Sequence, residues 1–178
     1  STTCTCNPNF FLIFRHKLVI HYSMVKNNYL SFLIIIAITF IASGVGGITT
    51  ANYKEPWYSE IILPSFNPPS WVFGPVWSAL YVMMSVAAWR IWIKYNNKKI
   101  LYLYFVHLFF NGIWSIIFFG FHNIFLALID LVLILIFILI LMKIYFKLEK
   151  LSYYLMFPYL MWSSYAFLLN LNIFLLNS

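Results

Sequence analysis

The sequence predicts an all-α membrane protein built as a five-transmembrane-helix bundle, and three observations carry that reading. Of 178 residues, 63% are hydrophobic and 8% charged, whereas a soluble domain carries about a quarter charged residues to cover its surface. The apolar residues run in stretches long enough to cross a bilayer, which takes about 20 of them. None of these stretches alternates apolar and polar positions as a barrel strand does, so helices must satisfy the backbone. The same composition, with two cysteines, excludes a disordered chain, a disulfide scaffold and a cytosolic enzyme.

The first span is read over residues 30–51. In it Ala42-x-x-x-Gly46 and Ser43-x-x-x-Gly47 place small residues on one face at four-residue spacing, which permits close helix approach within the bundle or in a homodimer. Residues 52–70 form the one long connection, and long loops in compact bundles tend to be lids or binding segments. Pro56, Pro64, Pro68 and Pro69 stiffen it. Trp57, Tyr58, Phe66 and Trp71 give it apolar mass to fold over the bundle mouth. For Trp57 and Trp71 taken singly, an aromatic belt at the membrane surface explains the residue type equally simply.

The second span covers 71–95, with Ser70 as candidate cap and Pro75 distorting the first turns. Trp77, Tyr81, Met84 and Ala88 fall on one helical face. The third span, 100–120, repeats the arrangement with His107, Asn111, Trp114 and Phe118. The fourth, 124–145, is almost uniformly Ile and Leu but contains Asp130. The fifth, 151–176, aligns Pro158, Trp162 and Ala166, with Asn170 a turn further. Side chains with an apolar body and a polar tip suit a pocket for a large, flat, mostly apolar ligand. The same stripes would equally serve helix–helix packing, with Asn111 and Asn170 as interhelical glue.

The net charge of +7 invites a nucleic-acid reading, but its distribution argues for topology. Five spans put Arg15, Lys17, Lys26, Lys94, Lys98, Lys99, Lys143, Lys147 and Lys150 on one side, against Lys54 with Glu55 and Glu60 on the other. A nucleic-acid partner is not needed; the lipid bilayer is the partner the composition demands. The domain proper is therefore residues 30–178. Residues 1–29 form a basic leader, read either as translated upstream sequence ahead of Met24 or as a targeting segment. Its Cys4-x-Cys6 pair has no second pair at zinc spacing, and no metal site is expected.

One run carries more than composition. Gly46-Gly47 precedes Trp57-Tyr58, then Leu63-Pro64-Ser65-Phe66-Asn67-Pro68-Pro69-Ser70-Trp71-Val72-Phe73-Gly74-Pro75-Val76-Trp77, with Leu80-Tyr81 and Trp92 following. Asn111, Trp114, Phe118-Phe119-Gly120, Asp130, Pro158-Tyr159-Leu160-x-Trp162 and Asn170 continue it. From about Gly44 to Asn170 this order and spacing closely resemble the TspO/translocator-protein (TspO/MBR) family. The resemblance implies a five-helix bundle, often a homodimer, in a bacterial inner or mitochondrial outer membrane. It implies a cavity near the loop 52–70 end that binds porphyrins, haem, sterols and synthetic flat ligands, in tetrapyrrole sensing, sequestration or transport, with no obligatory cofactor.

By motif position Trp77 and Trp162 resemble the family's two cavity tryptophans. Gly47, Tyr81, Asn111 and Trp114 fall at lining positions, with Phe118 and Ala166 on the same stripes. Trp57, Pro64, Phe66, Pro68, Pro69 and Trp71 make the lid. The end of span 5 lacks the Tyr-then-Lys/Arg pattern of mammalian relatives, and Leu126 stands where they carry another tryptophan. No metal cluster, carboxylate pair or nucleophile with a neighbouring base is present, so an enzyme reading rests on light-driven porphyrin breakdown through Trp77 and Trp162. His107 is expected as a hydrogen-bonded interior group rather than an axial haem ligand, and Asp130 as a packing anchor or proton site.

Overall fold

A computed structural model describes the backbone of residues 8–178 and the side-chain surroundings from Asn28 onward. Cys4 and Cys6 lie outside the described residues, and of the leader only the helical backbone from Pro8 is described. Helix α1 spans Pro8–Tyr53, with its apolar part over Asn28–Tyr53. A single turn, α2 (Trp57–Glu60), sits in the long connection. Helices α3 (Ser70–Tyr95), α4 (Lys98–Ser115), α5 (Ile124–Leu148) and α6 (Lys150–Asn177) complete the bundle. Between α4 and α5 the chain widens into a π turn, Ile116–Gly120. Among the described residues five helices are long and apolar enough to span a membrane, so the chain is an all-α, multi-pass membrane protein.

The tight connections on either side of α4 follow from their asparagines. Asn96 ends α3 in the left-handed region (φ 46°), which asparagine tolerates better than most residues. Asn97 then caps α4, its Oδ1 accepting from the amides of Lys99 and Ile100. Asn123 caps α5 through the Leu126 amide. The expected cap at Ser70 is not formed. Pro69 occupies the capping position, Ser70 is the first helical residue, and its hydroxyl accepts from Lys54 Nζ at 3.1 Å.

Small residues decide how α1 packs. A Cβ on Gly46 would stand 3.0 Å from Ser115 Oγ, and one on Gly112 would stand 3.4 Å from the Ala42 carbonyl oxygen. The Ala42/Gly46 face is thus used inside the bundle, against α4. Tyrosines fill much of the remaining interior: Tyr104, Tyr145 and Tyr159 are completely covered. Tyr104 meets Thr39 at 2.8 Å, tying α1 to α4. Outward positions of every span carry large apolar or aromatic side chains, Leu and Ile most often in α1 and α5, as a lipid-facing surface requires.

At one end an ionic clamp joins α3 to the α5–α6 junction. The buried carboxylate of Glu149 accepts from Arg90 Nε at 2.9 Å and Nη2, from Lys94 Nζ at 2.6 Å, and from the Ser152 hydroxyl. These donors hold the Glu149 carboxyl well below its usual range, at about 2, with Arg90 contributing most.

Candidate functional site

The clamp also fixes the register of α3 against α6. Arg90 pairs with Glu149, and Ser152 Oγ reaches the Ala87 carbonyl one turn on. Followed toward the other end, that antiparallel register brings Trp77 and Trp162 to one level. There the aromatic side chains gather. Trp77 stacks on Tyr81 (centroids 5.5 Å, 27°) and meets the edge of Tyr159 at 6.2 Å. Trp162 meets Phe73 edge-on at 5.9 Å and Tyr165 at 5.7 Å. Both tryptophans are half-buried, and the indole N–H of Trp162 is enclosed with no hydrogen-bond partner.

Beneath these rings lies a polar floor. Tyr81 donates to Asn111 Oδ1 at 2.5 Å, Asn111 Nδ2 donates to the Tyr159 hydroxyl at 2.9 Å, and that hydroxyl meets His107 Nε2 at 2.7 Å. Asn111 is therefore held on both sides by tyrosines and acts as a positioning residue of the floor. His107 is fully buried and is the hydrogen-bonded interior group its sequence context indicates.

The remaining sequence-predicted residues divide. Trp114 stacks on Phe118 at 5.0 Å and 15°. Phe118 is buried, and Trp57 of α2 closes onto it edge-on at 5.3 Å while stacking on His122 at 4.5 Å. Phe118 and Trp114 thus belong to an aromatic plug beneath the connection, beside the Trp77/Trp162 level. Gly47 is exposed, with open space where a Cβ would stand. Ala166 is half-buried against the core.

The long connection is ordered by named tethers. Asn177 of α6 holds the Ile62 backbone at both ends, Oδ1 accepting from the amide and Nδ2 donating to the carbonyl, each at 2.9 Å. The Tyr165 hydroxyl donates to the Phe66 carbonyl at 2.7 Å. Pro64 is buried, Phe66 lies against Tyr165, and Tyr58 meets Asn67 at 3.4 Å. Burial raises the Tyr58 hydroxyl above its usual range, opposed by the Asn67 contact. Pro68 is half-buried and Pro69 exposed. Trp71, at 75% exposure, stands off the cover, the position of an interfacial belt residue.

Residues given no site role in the sequence complete the site. Tyr159 was readable as a helical neighbour of Trp162, three positions back on α6. Phe73 stands one turn before Trp77, and Tyr165 three positions after Trp162. Asn177 carried no signal, because its role depends on where a distant loop comes to rest.

Fold and site together define a polytopic helical membrane protein whose aromatic level lies beneath a tethered, proline-stiffened cover. A model of the TspO/MBR family matches residues 33–176. The chain is 33% identical over 150 residues to the tryptophan-rich protein TspO of Archaeoglobus fulgidus, covering 83% of this chain and 95% of that one. It is 36% identical over 142 residues to the tryptophan-rich protein TspO of Chlorobaculum tepidum, covering 77% and 90%. To the human translocator protein it is 34% identical over 119 residues, covering 64% and 70%. The chain belongs to the TspO/MBR family.

Proposed function

We propose that this protein binds porphyrin- or haem-type tetrapyrroles, with other flat apolar ligands such as sterols as weaker guests, and serves in their sensing, sequestration or transport. The observation that carries the reading is the shared level of Trp77 and Trp162 on facing helices, with Tyr81, Tyr159 and Phe73 around them. Large aromatic faces stack on a flat conjugated ring and keep water from it. The enclosed, unpartnered Trp162 N–H supplies a donor for an acceptor on such a guest.

Charge limits the affinity. Lys54 is the cation of the connection, and it is engaged with Ser70 and with Glu55 at 3.5 Å. A dianionic tetrapyrrole is therefore held mainly by stacking. The homodimer that the family resemblance implies would place its seam outside the Ala42/Gly46 face, which α4 already covers.

Titrating the reconstituted protein with protoporphyrin quenches tryptophan fluorescence, and Trp77→Phe with Trp162→Phe weakens binding about tenfold, the loss of one to two stacking contacts. An unchanged titration in the double variant overturns the assignment. If the bound pigment bleaches under light faster in wild type than in the double variant, the same tryptophans also serve a photo-oxidative activity.

A further inference from the structure

We propose that Asp130, Asn170 and Trp114 form a second, polar subsite beneath the aromatic plug, which binds a small hydroxylic group, water in the ligand-free protein. Asn170 is 1% exposed, and neither its amide oxygen nor its amide nitrogen has a partner. Asp130 is 4% exposed with Oδ2 unpartnered, and the enclosed indole N–H of Trp114 is equally free. Buried polar groups are paired as a rule, all the more in a membrane, where no solvent can serve them. Three orphaned side chains on three neighbouring helices need a common explanation.

Their positions supply it. Asp130 and Asn170 lie about 20 residues on either side of the α5–α6 junction at Glu149, so at 1.5 Å per residue the antiparallel pair brings them to one depth within about 3 Å. Trp114 reaches this region from α4, immediately before the π turn and beneath the Phe118 ring. Such turns are often found at functional sites. Between them the three residues offer donors from Trp114 and Asn170 and acceptors from Asp130 and Asn170. That set suits a group that both donates and accepts, an O–H oxygen, and a buried water typically makes about three such bonds. A bare cation fits poorly, because two of the four groups are donors, and a purely apolar guest would leave all of them unpaired.

The subsite is separate from the polar floor, where each polar atom of the Asn111 amide already has a partner, Tyr81 or Tyr159. It also does not rest on the tetrapyrrole reading, since water alone satisfies it. A ligand carrying a hydroxyl or a protonated carboxyl group that reaches past Trp114 would displace that water with the same donor-and-acceptor chemistry.

The test uses full-length protein in nanodiscs, ¹⁵N-labelled at tryptophan, with the Trp114 indole resonance assigned by Trp114→Phe. A magnetisation-transfer cross-peak between that N–H and a long-lived water is expected in the wild type. It is lost in Asp130→Leu/Asn170→Leu, which keeps the indole and removes the other two partners. Absence of the cross-peak in the wild type, or its persistence in the double variant, overturns the proposal. Stability provides an independent check. Each single leucine variant lowers the unfolding temperature, and the double variant is no less stable than the worse single, because the groups share one hydrated site; strict additivity refutes this. Adding protoporphyrin separates the two sources: a retained cross-peak means resident water, and its loss with a shifted indole resonance means that the ligand's own carboxyl has taken the place.

Discussion

Replacing Glu149 with glutamine is the perturbation whose consequence the structure fixes most tightly. The carboxylate accepts from Arg90, Lys94 and Ser152, and its carboxyl is held at about 2 against an ordinary 4.5. A shift of that size corresponds to an upper bound of about 3 kcal/mol of differential stabilisation. Lys94 is nearly half exposed and Arg90 partly so, so solvent screening reduces the net figure to about 1–2 kcal/mol. Glutamine keeps the shape and one acceptor but leaves two cations beside a neutral group. For a chain of this length the loss translates into a fall of about 2–8 °C in unfolding temperature at pH 7.

The pH dependence has a definite sign. A carboxyl depressed in the folded state stabilises above its unfolded value of 4.5 and loses that contribution as pH falls from 4.5 toward about 2. The other carboxyls titrate in both proteins, so the quantity to read is the difference between wild type and Glu149→Gln, followed by thermal unfolding in detergent from pH 7 to pH 2.5. That difference should be constant above about pH 5 and shrink below it. Equal stability at pH 7, or a gap that does not narrow below about pH 4.5, refutes the clamp.

Two further outcomes follow. Gly46→Val places branched methyls where a single Cβ would already stand 3.0 Å from Ser115 Oγ, so it should destabilise the bundle by about 1–3 kcal/mol; Ser115→Ala introduced alongside it should recover part of the loss, and calorimetric or fluorescence melting reads both. Asn177→Leu removes both tethers to Ile62 and should leave the melting temperature within a few degrees while speeding protoporphyrin association about tenfold, measured by stopped-flow quenching.

The fold was legible because bilayer physics leaves few options: apolar stretches joined by short polar turns can only pair as antiparallel helices. The helix starts at Asn97 and Asn123 were foreshadowed by their residue types. Ser70 misled because Pro69 took the cap position, against the residue-type preference that ranks serine first there. The role of Asn111 stayed open between cavity lining and interhelical glue for a different reason. A stripe on a helix shows which face a residue occupies, and its partners Tyr81 and Tyr159 come from two other helices. Likewise, the choice between packing and pairing for Ala42/Gly46 depended on Gly112 and Ser115 of α4. Periodicity reports faces; only tertiary register reports partners.

That register also sets how the covered level communicates with its surroundings. The two ends of the bundle are closed by different forces, ions at Glu149 and neutral side-chain-to-backbone bonds at Ile62 and Phe66. Three neutral bonds in exposed positions contribute about 0.5–1.5 kcal/mol each, so lifting the cover costs about 2–4 kcal/mol before the Trp57 contacts are counted. A cover that lifts as a unit would then be open in roughly one molecule in 30 to 1,000, and a ligand that requires the open form would bind with an apparent affinity lower by the same factor. The clamp at the far end does not enter that cost, because Arg90, Lys94 and Glu149 keep their contacts whether the cover is down or lifted. Acid that neutralises Glu149 should therefore loosen the bundle without opening the cover, whereas loss of Asn177 should open the cover without loosening the bundle.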